Sequence, residues 1–377
     1  MFFTLILAIL TGGYIVVLIW MSLGLYRIER SEVDTQPFVS VVVAARNEQH
    51  NIAGLLQALT AQDYADSQFE IIIVDDESDD DTAERVRSFP DFRVRLLQTT
   101  ERHRVVSPKK HAIQTGIRAA KGDIILLTDA DCLPPPTWIT GIVRLFSPHV
   151  GMVIGFSPAE LPKLQRISDY LLAMDSLALA AVAAGTSGWG YPATCNGRNL
   201  AYRRQVYDQV GGFSRIGHFV SGDDDLMLKL VQQTEWKIRY AFKPELAVPT
   251  QMVKSVTQFA HQRLRHASKG FHYEVKKVAA LIFVYLYNLC VFLSIPFALF
   301  AGLSWLVPVF ALLLKAAFEW LPLFRFAQRM QRLHVLRIFP LAEMLHVPYV
   351  VLFGVLGLFV KFKWKESQIP ISGKNNA

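Results

Sequence analysis

Three groups of acids in this chain stand where apolar runs begin or end. Asp129 and Asp131 close the segment IILLTDAD, and Asp75 and Asp76 close FEIIIVDD. Asp223, Asp224 and Asp225 open the helix-like run of SGDDDLMLKL. In extended backbone, residues two apart point the same way, so Asp129 and Asp131 present two carboxylates to one side. That suits a hard divalent cation, since Mg2+ commonly combines one or two protein carboxylates with substrate phosphates. Asp75 and Asp76 read either as part of such a site or as caps for the next helix, because Asp is favoured near helix N-termini. Capping is the better reading for Asp79, Asp80 and Asp81. In the 223–225 tract the helix N-terminus keeps a carboxylate ionised. An ionised carboxylate beside a substrate can act as a general base, while at least one of the three is expected to be an N-cap. In HQRLRHASKG, Gln262 and Arg265 are three apart, on one helix face. Arg265 is a candidate charge-assisted donor to phosphate; the alternative is that these basic residues neutralise lipid headgroups.

The elements that must hold these acids alternate in type. Residues 38–45 (FVSVVVAA), 69–76, 92–98 and 122–131 read as strands, and 48–61, 80–88 and 109–120 as helices. Continuous Val/Ile runs between amphipathic helices predict an α/β domain with a mostly parallel sheet covered on both faces. Ligands of such sheets bind beyond the carboxyl ends of the strands, where the acids of two strands stand.

The rest of the chain is short of charge. Of 377 residues, 52% are apolar and 19% charged, against roughly 25% charged in a soluble domain. This excludes disorder and an all-soluble protein. The net charge of +7 fits an anionic lipid surface, and the basic residues cluster beside apolar segments rather than on a separate face, against nucleic-acid binding. The three cysteines, Cys132, Cys195 and Cys290, share no metal-ligand spacing and fit a reducing compartment.

Residues 2–26 carry no charge and are long enough for a span; without a basic n-region or cleavage site they read as an uncleaved anchor. Residues 278–300 form a second uncharged span. Residues 301–322 contain Lys315 and Glu319, four apart and able to pair, and 338–360 contain Glu343 and His346. The intervening FRFAQRMQRLHVLR is basic and amphipathic. Arg27 and Arg30 follow the first span, so the positive-inside rule puts residues 27–277 in the cytosol. Four spans are favoured. They put the basic loop at 325–337 inside but leave the lysines of the tail outside, against the rule. The expected division is an anchor at 1–26, a soluble domain at 27–277, a membrane region at 278–360 and a basic tail at 361–377. The apolar stretch 167–185 is interrupted by Asp169 and Asp175; it reads as an acceptor-side helix or one at the membrane surface.

Five blocks, in order, resemble the membrane-bound family 2 glycosyltransferases: VSVVVAARNEQHNIAGLLQAL, IIIVDDES, SPKKHAIQTGIRAAKGDIILLTDADC, CNGRNLAYRR, and GDDDL followed by QRLRH. They are similar to the family's first nucleotide-binding strand and helix, VVDDGS, GKxxALNxG…DAD, CNGAN, and the acidic base and QxxRW motifs. The resemblance implies a GT-A fold, inversion at the anomeric carbon and a nucleotide-sugar donor, expected to be a UDP-sugar. It implies donor contacts at Ala44, Arg46, Glu48, Asp75, Asp76, Lys109, Asp129 and Arg265. Asp129 and Asp131 would hold Mg2+ or Mn2+. Catalytic roles fall to Asp223 as base, with Asp224 one step of alignment away, and to Gln262 and Arg265. Asn196, Gly197, Asn199 and His266 would line the acceptor, a lipid or glycan. Three positions depart from the pattern: Glu77 replaces a Gly, Arg198 an Ala, and His266 the Trp of QxxRW. His266 presents less stacking surface to a sugar than Trp, which weighs against long-polymer synthesis.

The expected function is therefore transfer of one sugar to a lipid or lipid-linked acceptor at the cytosolic face of a bacterial inner membrane. The alternative is a processive synthase that extrudes its product. A catalytically dead scaffold would lack the key acids, which are present. A nucleotidyltransferase would need a Gly/Arg-rich loop after the first strand, and AARNEQ is not one.

Overall fold

The computed structural model describes residues 2–29, 32–100, 106–162, 166–252, Phe259, Arg263, 275–359, 362–364 and 367–369. The chain divides into two units. One is Leu23–Gln251 with Phe326–Arg332; the other is Met1–Ser22, Met252–Arg325 and Leu333–Ala377.

The first unit is built on a seven-stranded sheet of β1 (Val39–Ala45), β2 (Phe69–Asp75), β3 (Val94–Gln98), β4 (Ile124–Leu127), β5 (Val150–Gly155), β6 (Leu200–Arg203) and β7 (Lys237–Ala241). Their order is β3-β2-β1-β4-β6-β5-β7. All neighbours are parallel except β6, which runs antiparallel to β4 and β5. The Val/Ile runs form central strands because both faces are covered: every residue of β2 and β4 is buried. Each such aliphatic side chain contributes roughly 1.5–3 kcal/mol by leaving water. Helix α2 (Ile52–Thr60) buries Ile52, Leu55, Leu56 and Leu59 against the sheet core. Helix α3 (Thr82–Arg87) follows β2, and α4 (Pro108–Ala119) lies over β1 and β2. At Gly116 a Cβ would stand 2.4 Å from Val42 Cγ1, so only glycine lets α4 sit this close to the sheet.

The helices and strands expected over residues 38–131 are present, with ends shifted by up to four residues. The segment 122–131 is shorter as a strand than expected: β4 stops at Leu127, and Thr128–Asp131 already form the loop beyond it. Helix α5 (Trp138–Val143) packs beneath. Helix α6 (Ile167–Ser187) is the apolar stretch read above. Asp169, one of the acids that interrupted it, accepts from the Arg166 backbone N–H at 2.8 Å and caps the helix. The face carrying Ala173, Met174, Leu177, Ala181 and Ala184 is buried, and Ile167 and Leu179 are exposed. Short helices α7 (Arg204–Gln209) and α8 (Asp225–Gln232) complete the unit.

The second unit is mainly helical, with one short antiparallel strand pair, Phe362–Trp364 and Ser367–Ile369. It contains most of α1 (Phe2–Arg27), with α9 (Val275–Phe300), most of α10 (Leu306–Arg329) and α11 (Phe339–Phe359). Tyr14 stacks on Tyr287, ring centroids 4.3 Å apart, in a core with Leu7, Leu18, Val291, Ala311 and Val347. Among the described residues, five helices are long and apolar enough to cross a membrane: Phe2–Arg27, Ile167–Ser187, Val275–Phe300, Leu306–Arg329 and Leu333–Leu356. The second C-terminal apolar segment, expected at 301–322, has other bounds. Gly302, at φ 69°, turns the chain after α9, and α10 then runs on through Pro322 to Arg329. The basic amphipathic stretch is thus the end of α10 and a 3-10 turn, Leu333–Ile338.

Lys315 and Glu319 do pair, at 2.8 Å along α10. Lys315 Nζ also lies 2.6 Å from Glu343 Oε1 and 2.9 Å from His346 Nδ1, and Tyr14 donates its hydroxyl to Glu319. The two glutamates and His346 are spaced as a metal group would be, but the fully buried ammonium of Lys315 fills their centre.

Candidate active site

Because β1, β2 and β4 are parallel, their carboxyl ends share one edge of the sheet. Asp75 and Asp76 end β2, Ala45 and Arg46 end β1, and Asp129 and Asp131 lie just past β4. The buried Ala130 between the last two leaves both carboxyls half-exposed, as the two-residue period requires.

A lysine ties two of the acidic groups together. Lys109 Nζ, in the first turn of α4, lies 2.8 Å from Asp129 Oδ1 and 3.0 Å from Asp223 Oδ2. Burial works against the charge of Lys109, but Asp129 and Asp223 outweigh it and push its pKa up. Burial likewise opposes ionisation of Asp129, and Lys109 overcomes this and pulls its pKa down. Among the described residues Asp131 has no lysine partner: burial first, and then the charge of Asp129, push its pKa up, with Arg198 acting against them. Burial and the charge of Asp129 thus leave the Asp131 carboxyl short of compensating charge, which a divalent cation would supply.

The three acids of SGDDDL have three different duties. Gly222 takes φ 91°, a turn that L side chains rarely adopt, and this presents Asp223 to Lys109. Asp224 is the N-cap of α8 and accepts from the Asp225 N–H at 2.7 Å. Asp225 Oδ1 accepts from Thr194 Oγ1 at 2.8 Å and from the Cys195 N–H at 3.2 Å, which fastens the CNGRN segment to the acidic tract. A Cβ at Gly197 would lie 3.3 Å from Asp223 Oδ2, so Asn196–Arg198 passes directly beside that carboxylate.

The other expected residues divide. Asp76 accepts from Thr99 Oγ1 at 3.3 Å, and burial raises its pKa. Asp75 accepts from Gln98 at 3.2 Å, with its second carboxyl oxygen buried. Neither carboxylate caps α3; Asp80 does that work, accepting from the Thr82 N–H at 3.0 Å. Arg46 pairs with Asp79 at 3.3 Å, and Glu48 accepts from Asn51 at 2.7 Å. Ala44 is half-buried in β1. Asn199 belongs to the core: it accepts from Trp138 Nε1 at 3.0 Å and donates to Phe156 and Leu246 carbonyls at 2.9 and 2.8 Å. These three bonds brace the segment against the core. Gln262, Arg265 and His266 lie outside the described residues. Burial pushes the Cys132 thiol up to about 12, as a buried small residue would show.

Lys110 carries a role that the sequence did not disclose. Its buried ammonium donates to the carbonyls of Ile216, Phe219 and Ser221 at 2.8, 2.7 and 2.8 Å. Adjacent lysines thus hold the turn that leads into Asp223 and Asp223 itself. The lysine pair was visible, but which member points inward depends on the packing of α4.

Residues 40–211 match the model of glycosyl transferase family 2. Over these residues the chain is similar to the family 2 glycosyltransferases. The domain is 29% identical over 208 residues to Glycosyltransferase AglE of Haloferax volcanii, covering 55% of this chain and 65% of that protein. It is 30% identical over 242 residues to a beta-monoglucosyldiacylglycerol synthase of Trichormus variabilis, covering 62% of this chain and 49% of the relative. The chain thus spans less than two thirds of either relative. A shorter match, 36% over 118 residues, is to an undecaprenyl-phosphate 4-deoxy-4-formamido-L-arabinose transferase of Edwardsiella ictaluri, 30% of this chain and 35% of that one. Among solved structures, a mannosyltransferase of Pyrobaculum calidifontis in complex with GDP-Man and Mn2+ aligns with TM-score 0.62 at 21% identity, over 95% of this chain and 98% of that one. The fold of the transferase domain is GT-A, with apolar helices at both ends of the chain.

Proposed function

We propose that the protein is an inverting glycosyltransferase that moves one sugar from a nucleotide-diphosphate donor to a lipid or lipid-linked acceptor. The observation that carries this is the bridge from Lys109 to both Asp129 and Asp223, which brings a paired-acid loop and a candidate base to one strand edge.

In this reading Asp75, Asp76, Arg46 and Glu48 border the nucleoside, and Ala44 leaves room for it. Asp129 and Asp131 would hold Mg2+ or Mn2+, which supplies charge neutralisation for the leaving diphosphate. Lys109 keeps Asp129 ionised and fixes both Asp129 and Asp223 in direction. Asp223 accepts the proton of the acceptor hydroxyl as the oxygen attacks the anomeric carbon. The bond from that carbon to the diphosphate breaks in the same displacement, with no covalent intermediate on the protein. Arg265 and Gln262 are assigned to the diphosphate side, and Asn196, Gly197 and His266 to the acceptor side.

A UDP-sugar remains the expected donor; the GDP-Man of the structural neighbour adds GDP-sugars to those worth testing. The relatives named for a glucosyl-diacylglycerol and for undecaprenyl phosphate support a lipid acceptor, as do the apolar helices. We place the membrane anchor at residues 1–26, the catalytic domain at 27–277 on the cytosolic face of a bacterial inner membrane, the membrane region at 278–360 and the tail at 361–377. Asp223→Asn tests the assignment of the base. With a hydroxyl acceptor it is expected to lower the transfer rate roughly 10²- to 10⁴-fold with donor binding kept. A variant with the full rate would remove Asp223 from that role. Labelled sugar should partition into organic solvent with its lipid; a wholly water-soluble product would rule out a lipid acceptor.

A further inference from the structure

Arg198 stands where the family's motif has Ala, between the paired acids and Asp223. Its backbone N–H and its Nε both donate to Asn196 Oδ1 at 3.1 Å, and Nη1 reaches Thr250 Oγ1 at 3.4 Å. A guanidinium has five N–H donors, so three remain. Among the described residues no carboxylate pairs with it, in contrast to Lys109 and Arg46. Its charge nevertheless acts on both Asp129 and Asp131.

This is an unusual way to keep an arginine. The side chain is half-buried, so it has lost part of its hydration without gaining an ion pair among the described residues. Its direction is fixed by two side chains, Asn196 and Thr250. Thr250 is in turn bridged to Cys132, the residue after the acidic pair. The free edge of the fork is thus rigid before any ligand arrives. A cation at the paired acids would repel Arg198 unless an anion lay between them. A planar fork with donors on one edge matches the oxygens of a phosphate.

We propose that Arg198 receives a phosphate group at the boundary between the paired acids and Asp223, and is a specificity-determining residue of this enzyme. The inference rests on the transferase reading above. The phosphate has two sources: the diphosphate of the donor, or a phosphate carried by the lipid acceptor. The neighbouring Gly197 lies against Asp223, so a group held by Arg198 sits where donor and acceptor meet.

The test uses the full-length protein in detergent and the variants Arg198→Gln and Arg198→Lys. Glutamine retains an amide donor where Nε meets Asn196 but removes the charge and the reach to Thr250, and Lys keeps the charge without the fork. Binding of GDP and UDP is measured by calorimetry with Mn2+. KM is measured for undecaprenyl phosphate and for diacylglycerol as acceptors. If the donor supplies the phosphate, Arg198→Gln weakens nucleoside-diphosphate binding roughly 10- to 100-fold, and Lys restores it in part. If the acceptor supplies it, nucleotide binding is unchanged and KM rises by a similar factor for undecaprenyl phosphate alone. The proposal is overturned if Arg198→Gln changes neither by more than about twofold, or raises KM for both acceptors equally, since the residue would then only shape the loop. If the wild-type protein binds neither nucleotide, the transferase reading falls together with this inference.

Discussion

Lys109 Nζ sits 3.0 Å from Asp223 Oδ2 while the same ammonium holds Asp129 at 2.8 Å. Two acids from segments nearly a hundred residues apart in sequence are thereby fixed by one cation at the start of α4. Lys109→Met removes that link and leaves both carboxylates without their partner. The expected cost in stability is roughly 1–3 kcal/mol, read from chemical unfolding of the detergent-solubilised protein. The rate of nucleoside-diphosphate release should fall about 100-fold or more, as expected when a positioned proton acceptor is lost. A variant with the wild-type rate would show that Lys109 is only structural.

Lys110 separates holding a loop from doing chemistry. Lys110→Met removes the donor shared by three carbonyls, those of Ile216, Phe219 and Ser221, at roughly 1–3 kcal/mol in all. Transfer should slow because the turn into Asp223 loosens, while affinity for the nucleoside diphosphate stays within a few-fold. An equal fall in both would place Lys110 nearer the donor than described.

Glu77 adopts φ 54°, in the left-handed region that costs a side-chain-bearing residue roughly 1–2 kcal/mol. Glycine removes that cost but adds roughly 0.5–1 kcal/mol of chain entropy to be lost. Glu77 also makes an interaction of its own, so Glu77→Gly should raise stability, by up to about 1 kcal/mol, only where the relieved strain exceeds that contact, and chemical unfolding reads the sign. A β-branched Val at this position should lower stability. A destabilised Gly variant would mean that the Glu77 side chain makes a contact worth more than the strain.

How much of this could be seen beforehand follows from range. Asp129 and Asp131 were legible because a run of Ile and Leu must be buried and must end somewhere. Asp224 as a cap was legible as one of three, since the helix start was visible locally. The ties of Asp223 to Lys109 and of Asp225 to Thr194 were not, because the partners lie far away in sequence. β6 escaped notice because LAYR is four residues long and its antiparallel pairing leaves no pattern of its own. Asn199 reads as a polar motif residue, yet its partners Trp138, Phe156 and Leu246 draw it into the core. Glu343 and His346 were seen in an apolar segment, but their convergence on Lys315 is set by helix packing.

That convergence gives a fourth prediction. Lys315→Met leaves Glu319 and Glu343 buried without their cation, and breaking a buried pair from one side costs about 3–5 kcal/mol. Adding Glu319→Gln and Glu343→Gln should recover most of the loss, as seen in the detergent concentration or temperature at which the helices unfold. If the single variant is as stable as wild type, the ammonium is not the centre of that network.

The central claim is that one site at the ends of β1, β2 and β4 transfers sugar from a nucleotide. The most direct test is release of nucleoside diphosphate from a panel of UDP- and GDP-sugars by the purified protein with its own lipids, with Mn2+ or Mg2+ and with chelator. The account predicts turnover of one donor, loss of it on chelation, and loss in Asp131→Ala and Asp223→Asn although both fold. Donor turnover that survives both substitutions and chelation would contradict it.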